Sequence, residues 1–548
     1  MNEKIAHKAV LIYPEFDTQD TFWSYAQSLK MYAPAGEFGL PKRLLPPLGL
    51  MGLFNHLKPY YEQICLIDKN IDPRSIHEFI DDADHVYMGG MMAQEQSLIK
   101  LALEVKKVKK VLIVGGTAIS PQSPLMQIAD HLLENEAEGV IDELLEGLSK
   151  GNAKKYYKGG FNSPENFFQP DYAAINMQNY VHMAVQISRG CPERCEFCDI
   201  PSRFGKAFRV TPWQKTEQSF QQMKDLGWTG QVFIVDDNFI GHPRKALEVL
   251  KSLYKIGEKI GYHHPKYTEL TLRLADESPV MAELRHWFHK ANFINGFYGV
   301  ETPNEASLLE TDKRQNLRGE LSLVEKLRFI SEQTGAGVMM GMIYGFDHDS
   351  DESVQEFIDF VNASHAPIVM AGLLNALPCT PLITRMLREG RMIKASSGNN
   401  SDGIINFIPY NFSVQQAEQN YLRILQGIYH PQAYFSRVMR HLELIDPDLQ
   451  SNYRAGNGSL AYLFKILSKK HALTYWRYLP DALAIANRRC GFNTPGYMAI
   501  VAEFFSLCGQ YTHFSSQVNA QRKNIAQRDY TDSQSISWRE LLAMEMEF

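Results

Sequence analysis

Long apolar runs are missing from this 548-residue chain. A membrane-spanning helix needs about 18 or more consecutive apolar residues. The runs here, such as Val111 to Val114, are strand-sized, so no transmembrane segment is expected. The N-terminus (MNEKIAHKAVLIYP) carries Glu3 and has only a short apolar stretch before Pro14, so it does not read as a signal peptide. An excess of one charge is missing too. The 56 Lys and Arg against 62 Asp and Glu leave a net −6, which argues against a nucleic-acid partner held by bulk charge. No low-complexity tract suggests disorder. Cysteine is scarce and odd in number, at seven. In the cytoplasmic, reducing location these features imply, that count speaks against a disulfide framework and turns attention to spacing.

At roughly 100–200 residues per domain the length implies two to four domains. Over residues 1–150, β-branched runs (AVLIYP, QICLID, HVYMGG, VLIVGG) alternate with amphipathic stretches, which predicts an α/β, doubly wound, Rossmann-like parallel sheet. Its loops are marked by Tyr13-Pro14, Gly89-Gly90 and Gly115-Gly116-Thr117, and in such sheets ligands sit off those strand ends. Residues 151–183 are polar and aperiodic and read as a linker. Between 184 and 386 a second alternation has strands at 184–188, 231–235, 266–272, 295–300, 338–343 and 368–374. These six units predict a full or partial (β/α) barrel, with its chemistry at the strand C-termini. Residues 387–548 are mostly helical in period and rich in Tyr and Phe, which predicts a mainly α-helical C-terminal domain.

The most informative stretch is SRGCPERCEFCDI (188–200), where Cys191, Cys195 and Cys198 follow the first barrel strand. Pro192 disfavours one continuous helix, so the loop can fold its thiolates around one centre. Thiolates in a reducing compartment select zinc or iron–sulfur sites. No fourth Cys lies nearby, so a structural zinc needs a distant His, whereas three thiolates on a four-iron cluster leave one iron open to a ligand. The Cys-x3-Cys-x2-Cys spacing, with Phe197 before the last Cys, resembles the signature of the radical S-adenosylmethionine (SAM) enzymes. The resemblance implies a 4Fe-4S cluster that chelates SAM.

Other positions agree with that resemblance. Asp236, Asp237 and Asn238 end the second barrel strand, where it implies contacts to the SAM amino group; an Asx-turn is the structural alternative. Glu301 ends the fourth strand, as a further polar contact. The neighbouring Thr302, Pro303 and Glu305 read as N-cap, first turn and capping box of the next helix. Gly341, Ile343 and Gly345 resemble the Gly-x-Ile-x-Gly element that lies against adenine, although a buried strand with close backbone approach also explains them. Arg189, Lys206 and Arg209 flank the cluster and read equally well as a solvated basic loop.

A doubly wound sheet before such a barrel resembles the cobalamin-binding subgroup. The matching elements are Pro46-Pro47-Leu48-Gly49, Val114-Gly115-Gly116-Thr117 and Asn135-Glu136-Ala137-Glu138, so Pro47, Gly115, Gly116, Thr117 and Glu136 are expected at the cofactor. No Asp-x-His-x-x-Gly string occurs, so cobalt without a protein His, or a domain without cobalamin, are the two readings. Met91 and Met92, after the third strand, read as core packing, with a place near the cofactor as the alternative. YPEFDTQDTFWSY, RLLPPLGL, FIVDDNFIG, GVETPNEASL, GMIYGFDHD and GNNSDGIINFIP together resemble the family that includes the hopanoid C-2 methylases, over nearly the first 430 residues.

The resemblance implies a cobalamin-dependent radical SAM methyltransferase acting on an unactivated carbon of a lipid or small natural product. An external electron donor of flavodoxin or ferredoxin type would serve it, in the cytoplasm or at a membrane surface if the substrate is a lipid. The alternative is a radical SAM oxidoreductase or ring-rearranging enzyme that uses cobalamin without methyl transfer. Cys65, Cys490 and Cys508 read as structural; Cys379, in LPCTP, reads as a turn residue that could face the site. The loop Gly398 to Phe407 reads as a surface Asx-rich turn, with substrate contact as its functional alternative.

Overall fold

The structure is a computed structural model that describes residues 4–16, 43–119, 123–399, 401–449 and 471–530. Residues 17–25 of the YPEFDTQDTFWSY stretch, and residue 400 of the 398–407 loop, lie outside the described residues.

The N-terminal sheet contains β1 (Ala6–Tyr13), β2 (Tyr61–Asp68), β3 (His85–Gly89), β4 (Val111–Gly115), β5 (His131–Glu134) and β6 (Tyr156–Lys158). Their order is β2-β1-β3-β4-β5-β6, and every pairing is parallel. Such strands are covered on both faces and read as continuous apolar runs, and the alternation within β1 shows why. Val10 and Ile12 enter one core with Val86 and Leu112; Ala9 and Leu11 enter another with Tyr87 and Ile113. The chain reverses direction across the sheet between β1 and β3, where doubly wound sheets bind ligands. Part of the expected linker belongs to this sheet, because Tyr156–Lys158 pairs with β5.

The second sheet contains β7 (Met183–Val185), β10 (Val232–Ile234), β11 (Lys266–Leu270), β12 (Phe293–Glu301), β13 (Gly337–Tyr344) and β14 (Ile368–Leu373). The order β14-β13-β12-β11-β10-β7 is all parallel and leaves β14 and β7 as edges, so the barrel is partial. The expected first strand at 184–188 is divided. Ser188–Arg189 forms β8, an antiparallel ribbon with β9 (Arg209–Val210), because the Asp236 carboxylate takes the Ile187 amide at 2.9 Å.

Local signals fix the covering helices. Helix Leu323–Thr334 starts on a capping box in which Ser322 Oγ accepts from Glu325 N at 3.3 Å and Glu325 accepts from Ser322 N at 2.8 Å, a start typically worth about 1 kcal/mol. The helix after β12 begins at Glu305 with Asn304 as its cap, not Thr302: Asn304 Oδ1 accepts from Ser307 N at 3.2 Å.

The C-terminal helices Val414–Ile428, Pro431–Leu444, Ala472–Cys490 and Pro495–Gln527 share one apolar core with the barrel. Tyr421 Oη donates to Ala371 O at 3.0 Å, and Tyr429 Oη donates to Val369 O, which fastens the first of these helices to the free edge of β14. Among the described residues no helix is long and apolar enough to cross a membrane.

Candidate active site

Cys191, Cys195 and Cys198 sit between β8 and the short helix Ile200–Arg203. Cys191 N donates to Gly205 O at 3.1 Å, and Cys198 N donates to Cys195 O at 3.1 Å. Cys191 and Cys195 are buried and Cys198 nearly so. Burial pushes the Cys191 thiol up to about 11, opposed by hydrogen bonds from the Glu193 backbone and the Asn238 side chain. It raises Cys198 well above the ordinary thiol value, and raises Cys195 despite the nearby Lys313 and Gln315. Thiols kept neutral by burial release their protons when a metal centre takes their place.

The three thiols also act on one another through space. Among the described residues no group of three His, Cys, Asp or Glu side chains converges as a single metal ion requires. The fit to a multi-iron cluster therefore rests on the loop: three buried thiols, side-chain donors aimed at two of the sulfurs, and an unused acceptor beside them. Asn238 Nδ2 lies 3.8 Å from Cys191 Sγ, and Gln315 Nε2 lies 3.5 Å from Cys195 Sγ. Asn238 Oδ1 is buried without a partner, so it can accept from an ammonium or amine at the cluster.

Glu196, between two of the cysteines, anchors the loop. Its carboxylate accepts from Arg385 Nε at 2.7 Å and Nη2 at 2.9 Å, while Arg385 also pairs with Glu310 at 3.0 Å and with Asp347. Phe197 meets Phe346 edge to face, at 6.0 Å between centroids, which sets the loop against the turn after β13. In that turn Asp349 Oδ2 accepts from Gly345 N at 2.8 Å and Phe346 N at 3.0 Å. Gly341 and Ile343 share the inner face of β13, with Gly341 close to the Phe297 ring.

Asp236, Asp237 and Asn238 have separate fates. Asp236 is buried and accepts from Ile187 N at 2.9 Å and Ser188 Oγ at 2.6 Å, so it braces the cluster loop with both oxygens. Burial pushes its carboxyl up to about 6 against those bonds. Burial and the charges of Glu269 and Asp236 raise Asp237 well above the carboxylate range. Glu269, on the inner face of β11, is pushed up to about 7 by burial and by Asp236 and Glu301. Glu301 receives Lys313 Nζ at 2.6 Å. Sequence reading missed Glu269, Lys313 and Gln315. The last two lie more than a hundred residues beyond the cysteines, and no local spacing marks any of the three.

A cavity of about 460 Å³ opens between the N-terminal sheet and the barrel. Tyr13, Gly89 and Gly115, at the ends of β1, β3 and β4, line it together with Pro47, Gly116, Thr117 and Glu136. Val185, Gln186 and Val235, which lead directly into the cluster loop and the Asp236–Asn238 turn, form its barrel side. Gly116 has φ +93°, and a Cβ there would stand 2.7 Å from Gly90 O, so only glycine allows this floor. Among the described residues, no histidine lines the cavity. Met91 is exposed and lines the cavity instead of joining the core; Met92 lies against Gly398 of the distant loop.

Glu136 lines the cavity, but its carboxylate is already engaged. Oε1 accepts from Arg209 Nη2 at 2.5 Å, and Oε2 accepts from Arg209 Nη1 at 2.9 Å and Asn162 N at 2.6 Å. Arg189 Nη2 donates to Glu138 at 2.8 Å, so the two arginines join the domains and are not solvated. The 398–407 loop is not a surface turn either. Ile405, Asn406 and Phe407 are buried, and Asn406 Oδ1 accepts from Ala376 N at 2.9 Å. Cys379 is exposed at φ +66°, in a turn that lines a separate cavity with Arg203 and Glu134.

Comparison with known proteins places residues 185–361 in the radical SAM superfamily, and matches 380–527 to a domain of unknown function, DUF4070. The chain is 30% identical to an uncharacterized methyltransferase of Synechocystis sp., over 96% of this chain and 95% of that one. It is 28% identical to the hopanoid C-2 methylase of Rhodopseudomonas palustris, over 72% of this chain and 73% of the other. The fold resembles OxsB, a cobalamin-dependent S-adenosylmethionine radical enzyme solved with aqua-cobalamin, with a TM-score of 0.57 at 14% identity, covering 99% of this chain and 84% of that one.

Proposed function

The chain belongs to a family of radical SAM methyltransferases, and from that premise we propose that it uses cobalamin to methylate an unactivated carbon of an apolar lipid or small natural product. The observation that carries the reading is the shared wall. The cavity at the ends of β1, β3 and β4 is closed on its far side by the residues that lead into the cysteine loop, so two cofactor positions face one space.

Cys191, Cys195 and Cys198 would hold the cluster. Asn238 Oδ1 offers an acceptor to the SAM amino group, and Gly341, Ile343 and Gly345 form the strand end against which adenine would lie. Pro47, Gly115, Gly116 and Thr117 would support cobalamin in the cavity. When bound, cluster and SAM supply a 5′-deoxyadenosyl radical and cobalamin carries a methyl group. The protein positions these groups and excludes water.

The inner face of the barrel supports an apolar substrate. Phe297 pairs in register with Met339, Met339 with Ile368, and Gly341 with Met370, giving a continuous apolar wall beside Glu269. A flavodoxin- or ferredoxin-type protein is proposed as the electron source.

Protein purified without oxygen should contain iron and sulfide. With reductant, cobalamin, SAM and substrate it should yield both S-adenosylhomocysteine and 5′-deoxyadenosine. 5′-Deoxyadenosine alone would select the oxidoreductase or rearrangement reading, and neither product would refute both. Cys195→Ala should abolish the brown chromophore and SAM cleavage.

A further inference from the structure

Among the described residues, five charged side chains line the cavity between the N-terminal sheet and the barrel: Arg43, Glu136, Glu138, Arg189 and Lys215. Four of them are already matched. Arg209 holds Glu136, and Arg189 holds Glu138 while its Nε donates to Gln186 Oε1 at 2.8 Å. Lys215 Nζ donates to Glu165 O and Phe167 O, at 2.6 Å each. Arg43 is the exception. It is 7% exposed, and its Nε and Nη2 donate to Asn70 O at 3.3 Å and Asn70 Oδ1 at 2.7 Å, both neutral acceptors. Its Nη1 is buried with no partner. Asp68, whose charge supports the guanidinium, is spent on other groups: Oδ1 accepts from Asn70 N at 2.9 Å and Nδ2 at 2.6 Å, and Oδ2 accepts from Tyr180 Oη at 2.9 Å.

The guanidinium is held in place. Arg43 N donates to Asn179 O at 2.9 Å and Val181 N donates to Arg43 O at 2.8 Å, which fixes its backbone beside the entry to β7. Asn70 is fixed in turn, because Nδ2 donates to Pro14 O at 3.0 Å and Oδ1 also accepts from Phe16 N at 2.8 Å. Arg43 therefore stands where β1 and β2 end, whereas the glycine floor follows β3 and β4. In the order β2-β1-β3-β4, three strand spacings of about 4.8 Å separate β2 from β4, roughly 14 Å in all. The floor and the guanidinium thus meet different parts of a ligand that fills the cavity. A buried cation without a counterion is costly, and an anion that reaches it removes that cost. Hydrogen bonds between guanidinium and phosphate are charge-assisted and among the strong ones.

We propose that Arg43 is the anion-binding residue of this cavity and donates Nη1 to a phosphate oxygen in the nucleotide loop of cobalamin. The inference rests on the reading that the cavity holds cobalamin. The amide arms of the corrin ring are neutral, and the phosphodiester is the one anionic group among its side chains. It is therefore the group that an unmatched guanidinium selects.

The test is equilibrium dialysis, read by corrinoid absorbance, of full-length protein without SAM against cobalamin, cobinamide phosphate and cobinamide. The last two share the corrin ring and differ by the phosphate. Wild type should bind cobalamin and cobinamide phosphate at least about tenfold more tightly than cobinamide, the scale of one hydrogen bond to a charged group. In Arg43→Gln that advantage should fall below about twofold while cobinamide affinity stays unchanged, which also shows the cavity intact. Arg43→Lys should keep part of the advantage, since it retains the charge but not the fork. Equal wild-type affinity for cobinamide phosphate and cobinamide overturns the proposal. So does an Arg43→Gln variant that keeps the full advantage, or one that weakens all three ligands equally with its far-UV circular dichroism unchanged. If Arg43→Gln does not fold, Arg43→Lys decides: a smaller phosphate advantage at unchanged cobinamide affinity supports the proposal, and an undiminished one overturns it. Wild-type protein that binds none of the three overturns the cobalamin reading, and this inference with it.

Discussion

Arg209 and Glu136 meet at 2.5 Å across the boundary between the cluster-side ribbon and the N-terminal sheet, with the glutamate side chain fully buried. Removing one partner of a buried ion pair leaves an uncompensated charge and typically costs about 3–5 kcal/mol. Arg209→Met and Glu136→Gln should each destabilise cofactor-free protein by that order, read as the unfolding free energy from urea titration, and the double variant should lose less than the sum. A contact made to cobalamin alone would leave the cofactor-free midpoint unchanged.

Arg385 fastens the cluster loop by gripping Glu196 through two nitrogens, at 2.7 and 2.9 Å. Arg385→Met should keep its far-UV circular dichroism yet retain at most about half of the iron after reconstitution, because the loop is no longer held. Arg385→Lys should fall between, since an ammonium cannot fork across both carboxylate oxygens. Iron and sulfide analysis decides.

Asp349 gives a pH signature. Burial pushes its carboxyl from 3.8 up to about 6, against the hydrogen bonds from the Gly345 and Phe346 amides. Between those values the native state keeps a proton that the unfolded chain has released. Stability therefore falls as pH rises through this window, by up to about 3 kcal/mol at roughly 1.4 per pH unit. Thermal melts at pH 4 and pH 6 should show this loss in wild type and a smaller one in Asp349→Asn.

The cavity floor can be tested through Gly116. Gly116→Ala adds a Cβ 2.7 Å from Gly90 O at φ +93°, so the two strand-end loops must move apart. Cobalamin affinity, measured by absorbance titration, should drop at least about tenfold, while the iron content stays unchanged, because Gly116 packs on Gly90 and not on the cysteine loop. Equal affinity would remove cobalamin from this cavity.

Much of the architecture was readable because it depends on local order. The apolar runs of β1, β3 and β4 and the glycines that follow them mark strand and loop directly, and the cysteine spacing marks the loop proposed to hold the cluster. What went unread depends on partners distant in sequence. Asp236 looked like a cofactor contact because strand-end carboxylates often are, but the fold turns it back onto Ile187 and Ser188. Glu136 looked like part of a cofactor loop, and Arg209, which engages it, lies 73 residues away. Tyr156–Lys158 looked like linker because three residues carry too little periodicity to reveal a strand.

By itself, the sequence determined the order of the parallel-sheet domain, barrel and helices, the three thiols, and the glycine-floored loops, all properties of neighbouring residues. Only the tertiary structure decided which side chains meet those thiols. Lys313 meets Glu301, and Gln315 reaches Cys195, because β12 bulges at Glu301 and the following segment folds back over the cysteine loop. A buried charge finds its partner through packing, and packing across more than a hundred residues leaves no periodic trace in the chain.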